Sequence, residues 1–448
     1  MKPFFQLLIA AFVMIAPAVS QVNVKFEQYK LPNGLTVVLH EDHSVPVTAV
    51  VVMYHVGSKN ELVKRTGFAH LFEHVMFKGS EHVKDGEHFK LLQEIGANIN
   101  GFTNSDGTTY FEVLPSNYVE LGLYMESDRM GFLLPAVTQE KLDNQRDVVK
   151  NERRQRVDNV PYGLADETMI KAMYPETHPY SWPVIGYMSD LSAASLEDVK
   201  GFNRTYYAPN NAVLVLSGDI KPEEVKPLVE KYFGPIPQGK TFDRPKFQEV
   251  TLSENKVMVL EDKVQLARLY MSWHTVPNYS REDAVLDVLA HILSSGKTSR
   301  LYKTLVYDKQ IAQNANANES SQEIGGTFDI TVTAKPGQNL TEIQTVVDSI
   351  LADVLKNGVT QQEIDNAFTA VEVGTINGLQ TAYGKAVAMA TLYSYTGDPG
   401  YINRQLDVYK NITPQEVVAA GNKFLTKHRC TLSIVPTGQT ELASQKGK

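Results

Sequence analysis

His70-Leu71-Phe72-Glu73-His74 reads H-x-x-E-H inside Gly67–Phe77, an apolar-patterned segment with no internal proline. Wound as an α-helix, this stretch carries His70 and His74 on one face. Two imidazole nitrogens set out in this way can take the same zinc ion. Glu73 falls on the same side, where a carboxylate can take a proton from a water held on the ion. The competing reading is a core helix with polar residues paired by accident.

Catalytic zinc takes three protein ligands and keeps a position open for water. A third ligand has to come from another element. Thr138–Val157 (TQEKLDNQRDVVKNERRQRV) is rich in helix formers, free of Gly and Pro, and opens on Thr138 as an N-cap. Glu152 is the best candidate in it. Spacing alone does not single it out from the other acidic residues of the stretch.

H-x-x-E-H is the inverted zinc motif of the inverzincins. With a later-helix Glu in the setting Val148-Val149-Lys150-Asn151-Glu152-Arg153-Arg154, the chain resembles the pitrilysin/insulinase family of zinc metallopeptidases. It looks most like a bacterial branch similar to the mitochondrial processing peptidase. Gly96-Ala97-Asn98-Ile99-Asn100-Gly101-Phe102-Thr103 and Pro209-Asn210-Asn211-Ala212 match as well, so the resemblance covers nearly the whole mature chain. It implies one zinc per chain, with His70, His74 and Glu152 as ligands and Glu73 as general base. Many family members carry a second acidic residue seven positions before the ligand Glu. This chain has Gln145 there, which can hydrogen-bond a ligand but carries no charge.

Residues 1–20 (MKPFFQLLIAAFVMIAPAVS) read as a secretory signal peptide. Lys2 is the positive end, Phe4–Ala16 the apolar stretch, and Ala16–Ser20 the small-residue cleavage zone. The apolar stretch is short for a bilayer span, and no later segment is long and apolar enough. The expected location is periplasmic, with an uncleaved anchor as the alternative. The lone cysteine, Cys430, lies in a strand-like run and reads as a packed thiol. A net charge of −8 without a basic cluster argues against nucleic acid as a partner.

The chain also repeats itself. Val137-Thr138-Gln139 with Asp143-Asn144 returns as Val359-Thr360-Gln361 with Asp365-Asn366. Ser195-Leu196-Glu197-Asp198 ahead of Val213–Leu216 returns as Thr413-Pro414-Gln415-Glu416 ahead of Thr431–Ile434. Ala69-His70 and Ala290-His291 correspond at nearly the same separation. Alternating runs such as Val47–Met53, Thr109–Leu114 and Phe328–Thr333 read as strands. Asn117–Met130, Leu340–Leu355 and Val417–Leu425 read as helices. The expected fold is α+β: two homologous domains, each a mainly antiparallel sheet with helices packed on one face. Their expected bounds are residues 21–233 and 247–448, joined by a Pro- and Gly-rich linker, 234–246. The second copy has Ser294-Ser295 where the first has Glu73-His74, and Gly374 opposite Glu152, so its chemistry is gone.

Asn98–Thr103 and Thr108–Leu114 read as a hairpin turning at Ser105-Asp106-Gly107. The resemblance makes the first strand a sheet edge that takes substrate as an added strand, with Asn100, Gly101 and Phe102 as substrate-binding residues. It also implies an Arg/Tyr pair in the silent half, matched here by Arg300 and Tyr307. Seven residues apart, these would share a face of an α-helix and donate to a developing oxyanion. The expected function is a secreted zinc endopeptidase acting on peptides or unfolded segments. The alternative is a non-catalytic, core-like subunit of the same fold, as in respiratory complexes. Larger family members carry four such domains, so a two-domain chain is expected to dimerise, with itself or with a homologous chain.

Overall fold

A computed structural model describes residues 22–244 and 247–445. The expected signal peptide lies outside these residues, as do Pro245 and Lys246 of the expected linker. The first sheet holds β1 (Glu27–Lys30), β2 (Thr36–Glu41), β3 (Val47–Tyr54), β4 (Asn98–Thr103), β5 (Thr108–Pro115) and β6 (Ala212–Gly218). Its order is β1-β2-β6-β3-β5-β4, so β4 is an edge. The second holds β7 (Lys256–Asp262), β8 (Arg268–Thr275), β9 (Ala312–Gln322), β10 (Gly325–Ala334) and β11 (Cys430–Pro436), in the order β7-β11-β8-β10-β9.

Without β1, the two sheets match strand for strand. Each has a single parallel pair, β2 with β6 and β7 with β11. The duplication read from short sequence echoes is thus a duplication of topology. The echoes themselves are helix caps. Thr138 caps Gln139–Arg153, and Thr360 caps Gln361–Gly378 through a capping box with Glu363. Ser195 with Asp198 and Thr413 with Glu416 form the same box on Leu196–Tyr206 and Pro414–Phe424.

One face of the first sheet is covered by helices of its own half. Phe72, Leu123, Val149, Val199 and Val229 pack there with Val50, Val52 and Leu214. The other face takes a helix from far along the chain. Ala386, Met389, Ala390 and Leu392 of Ala382–Thr396 pack on Val38, Ala49, Val51, Val213 and Val215. The loan is returned: Ala165, Met169 and Met173 of Ala165–Met173 pack against Cys430, Leu432 and Ile434 of β11. Each large apolar side chain buried in this way contributes about 1.5–3 kcal/mol. Cover on both faces explains why β3 is VTAVVVMY rather than an apolar-polar alternation.

Cys430 is a core thiol, and burial pushes its pKa up to about 11. Among the described residues, no helix is long and apolar enough to cross a membrane.

Candidate active site

The motif helix runs from Phe68 to Val75 and begins on Gly67, whose φ is 83°. A side chain at Gly67 would meet the Ile185 carbonyl at 2.7 Å, so glycine is needed for backbone and for space. Glycine cannot cap the helix, and Glu61 does so from outside. Its carboxylate accepts the N–H of Gly67 at 2.9 Å and of Ala69 at 2.8 Å. Burial pushes the Glu61 carboxyl well above its usual pKa, against the pull of these amides.

His70 and His74 leave the helix on one face, their ring centroids 4.8 Å apart. Glu152 arrives from the end of Gln139–Arg153. Its Oε2 lies 3.3 Å from His74 Nε2 and 3.7 Å from His70 Nε2. Ligands about 2.0–2.1 Å from a tetrahedral zinc lie roughly 3.3 Å apart, so the three atoms fit that ion. Burial lowers His70 to about 3 and lowers His74, which keeps both imidazoles neutral as ligands must be. Arg156, on the π-helical turn Arg154–Asp158, holds Glu152 Oε1 at 2.7 Å and leaves Oε2 to face the imidazoles. Gln145 is buried and hydrogen-bonds His74, which needs no charge.

Glu73 sits beside this group but is not part of it. Thr103 of β4 donates to Glu73 Oε2 at 2.6 Å. Burial raises Glu73 to about 7, and the Glu152 charge pushes the same way. Gly101 passes close by: a Cβ there would stand 3.3 Å from Glu73 Cγ and 3.1 Å from Tyr110 Cδ1. The period of two along β4 turns Gly101 and Thr103 toward the motif helix and Asn100 and Phe102 outward. Asn100 accepts the N–H of Gly101 through its side chain, and Phe102 is 36% exposed. These β4 residues, the three potential ligands, Glu73 and Arg156 line one cavity of about 520 Å3.

A second group could offer metal ligands: His88, Glu112 and Glu126. A cation already fills it. Arg129 spans Glu126 with Nε at 2.8 Å and with Nη2, and reaches Glu112 at 3.5 Å. It lies over the Tyr110 ring at 4.2 Å and the Phe77 ring at 5.1 Å. Burial, and then the neighbouring Glu126, raises Glu112 well above the usual carboxyl range. Phe77, under the Arg129 guanidinium, also lines the cavity.

Arg300 and Tyr307 do not join the site within this chain. Arg300 spends its guanidinium on Glu363 (2.9 and 3.0 Å), Asp353 (3.1 Å) and the Gly358 carbonyl (3.0 Å). Tyr307 is 73% exposed. The α-helical alignment expected from their spacing is lost because Tyr302–Asp308 winds as a π-helix. Both potential metal groups among the described residues belong to the first half.

A duplicated α+β fold with an H-x-x-E-H helix, a later-helix Glu and an open edge strand defines a class, the two-lobed zinc metallopeptidases of the inverted motif. The Insulinase (Peptidase family M16) model matches residues 36–181, and the Peptidase M16 inactive domain model matches residues 193–371. The chain belongs to peptidase family M16, the insulinase family, and is a zinc metalloendopeptidase of its bacterial branch. Zinc protease PqqE of Helicobacter pylori is 30% identical over 415 residues, 91% of this chain and 92% of that one. Uncharacterized zinc protease YmxG of Bacillus subtilis is 24% identical over 363 residues, 80% of this chain and 86% of that one. The crystal structure of a protease from Helicobacter pylori has a TM-score of 0.86 at 27% identity, over 92% of this chain and 100% of that one.

Proposed function

We propose that the chain is an exported, periplasmic endopeptidase that cleaves extended peptides and unfolded segments, with one zinc per chain and Glu73 as its general base. One observation carries this reading: the His70, His74 and Glu152 donors and Glu73 share a cavity whose wall is the free edge of β4. His70, His74 and Glu152 hold the metal. Bound there, zinc supplies Lewis-acid polarisation of the scissile carbonyl and lowers the pKa of water. The peptide lies along β4 as an added strand, through main-chain hydrogen bonds that ignore its side chains. Glu73 takes the proton of the attacking water and passes it to the leaving amine. Thr103 holds Glu73 by donating its hydroxyl to Oε2. The leader at residues 1–20 is the basis for export.

Chelation is expected to abolish cleavage and added zinc to restore it, and His70→Ala is expected to lose both metal and activity. A flexible peptide should be cut far faster than a stable globular protein at equal concentration. Comparable rates on the two would point to an open cleft and against strand addition.

We further propose a homodimer in which the cavity of one chain faces Arg300 and Tyr307 of its partner; a heterodimer with a homologous chain is the alternative. The exposure of Tyr307, and a cavity lining in their own chain that includes neither residue, support the first form. Arg300 would have to release carboxylates to act. The check mixes a Glu73→Gln chain with an Arg300→Ala/Tyr307→Phe chain, each close to inactive alone. Subunit exchange restores activity in a homodimer, because one whole site forms. A fully active Arg300→Ala/Tyr307→Phe chain would end the homodimer proposal.

A further inference from the structure

The turn between β4 and β5 is held by more of the molecule than a surface turn needs. Asp106, in that turn, is buried. Its Oδ1 accepts from Lys59 Nζ at 3.0 Å and from the Tyr180 hydroxyl at 2.7 Å. Its Oδ2 accepts the main-chain N–H of Glu323 at 3.0 Å. Glu323 lies in the turn between β9 and β10, in the other half of the chain. The Tyr180 hydroxyl in turn accepts the N–H of Ile324 at 3.2 Å. The Glu323 carboxylate meets the Lys59 ammonium and His55 Nε2, the latter at 2.6 Å. Two separate segments of the first half, at Lys59 and Tyr180, and one of the second, at Glu323, thus converge on a single carboxylate.

The grip reaches the active site in few steps. Asn104 Oδ1 accepts the N–H of Asp106 at 2.8 Å and of Gly107 at 2.7 Å, which makes the turn stiff. Tyr395, on the helix lent by the second half, hydrogen-bonds the Asn104 side chain. Thr103 is the next residue along β4, and it is the hydroxyl that holds Glu73.

We propose that Asp106 is a positioning residue: by tying the β4–β5 turn to the β9–β10 turn, it sets where Thr103 holds Glu73 and how β4 presents its edge. The half without ligands then acts on turnover in its own chain. The proposal rests on Glu73 being the base. It goes beyond that reading because it assigns a catalytic consequence to the contact between the halves.

The test uses the full zinc-loaded chain and measures kcat, KM, bound zinc and the thermal midpoint. Asp106→Asn weakens the acceptor. Tyr180→Phe removes one donor and the acceptor for Ile324 while keeping the ring, and it carries the test should Asp106→Asn fold poorly. Both are expected to keep zinc and to lose kcat, by on the order of 10- to 100-fold for Asp106→Asn and less for Tyr180→Phe. The deciding readout is a cycle with Thr103→Val. In that background, Asp106→Asn should cost little more kcat, because the connection it supports is already gone. Losses that simply multiply would overturn the proposal, and so would variants that melt early yet turn over normally per bound zinc. A turnover-competent Glu73→Gln sinks the base assignment and this proposal with it. An inactive Glu73→Gln beside fully active Asp106→Asn and Tyr180→Phe sinks this proposal alone.

Discussion

Glu73→Gln is expected to hold its zinc and to lose turnover by roughly 10²–10⁴-fold, the usual share of a general base. The amide keeps the size of the carboxyl and can still take the Thr103 hydroxyl. It cannot accept the proton of the attacking water. Metal retention follows because Glu73 stands outside the group His70, His74 and Glu152. Metal content by mass spectrometry and kcat on one peptide, measured on the same preparation, check both halves of the statement. A variant purified without zinc would make Glu73 a ligand instead. A variant with wild-type kcat would move the base elsewhere.

Arg129→Met is expected to cost about 3–5 kcal/mol, the range for removing one partner from a buried ion pair. It leaves Glu126 and Glu112 buried without the guanidinium that spans them. It also removes the cation from the faces of Tyr110 and Phe77. At roughly 1 °C per kcal/mol for two interlocked halves that melt together, the midpoint should fall by on the order of 5 °C. Replacing the set together, Arg129→Met with Glu126→Leu and Glu112→Leu, should recover much of the loss, because no charge is then stranded. Calorimetry of both variants decides it. An Arg129→Met chain that melts with the wild type would mean that the buried pairing contributes no net stability.

What could be read from sequence was what local spacing encodes. The H-x-x-E-H face, the capped helix that carries Glu152 and the hairpin at Ser105-Asp106-Gly107 all follow from periods of 3.6 and 2 and from turn residues. Glu61 left no such signal, since a carboxylate that caps a helix from outside its N-cap obeys no fixed spacing. Thr103 becomes the partner of Glu73 only when separate elements meet, whereas Arg156 follows Glu152 by four residues, a local spacing that was there to be read. His88 lies in a polar stretch of sequence, and the fold buries it 3.7 Å from Glu112. Arg300 and Tyr307 show the opposite failure: a spacing argument assumes an α-helix, and a π-helical turn changes the angle between the two residues. The exchange of helices between the halves was beyond any window, because Ala382–Thr396 finds its sheet more than three hundred residues earlier in the chain, at Val38–Val51.

That exchange has a consequence for how the chain can be cut. A protease that nicks the irregular stretch 235–244 severs one covalent link and leaves two apolar interlocks, Met389 and Leu392 on the first sheet and Met169 and Met173 against the second. The pieces stay clasped, much as two hands with laced fingers do when a cord between the wrists is cut. Expressed apart, each piece would carry one helix with nothing to cover and one sheet with a bare face. The halves are copies of one another in plan, but neither is a spare part.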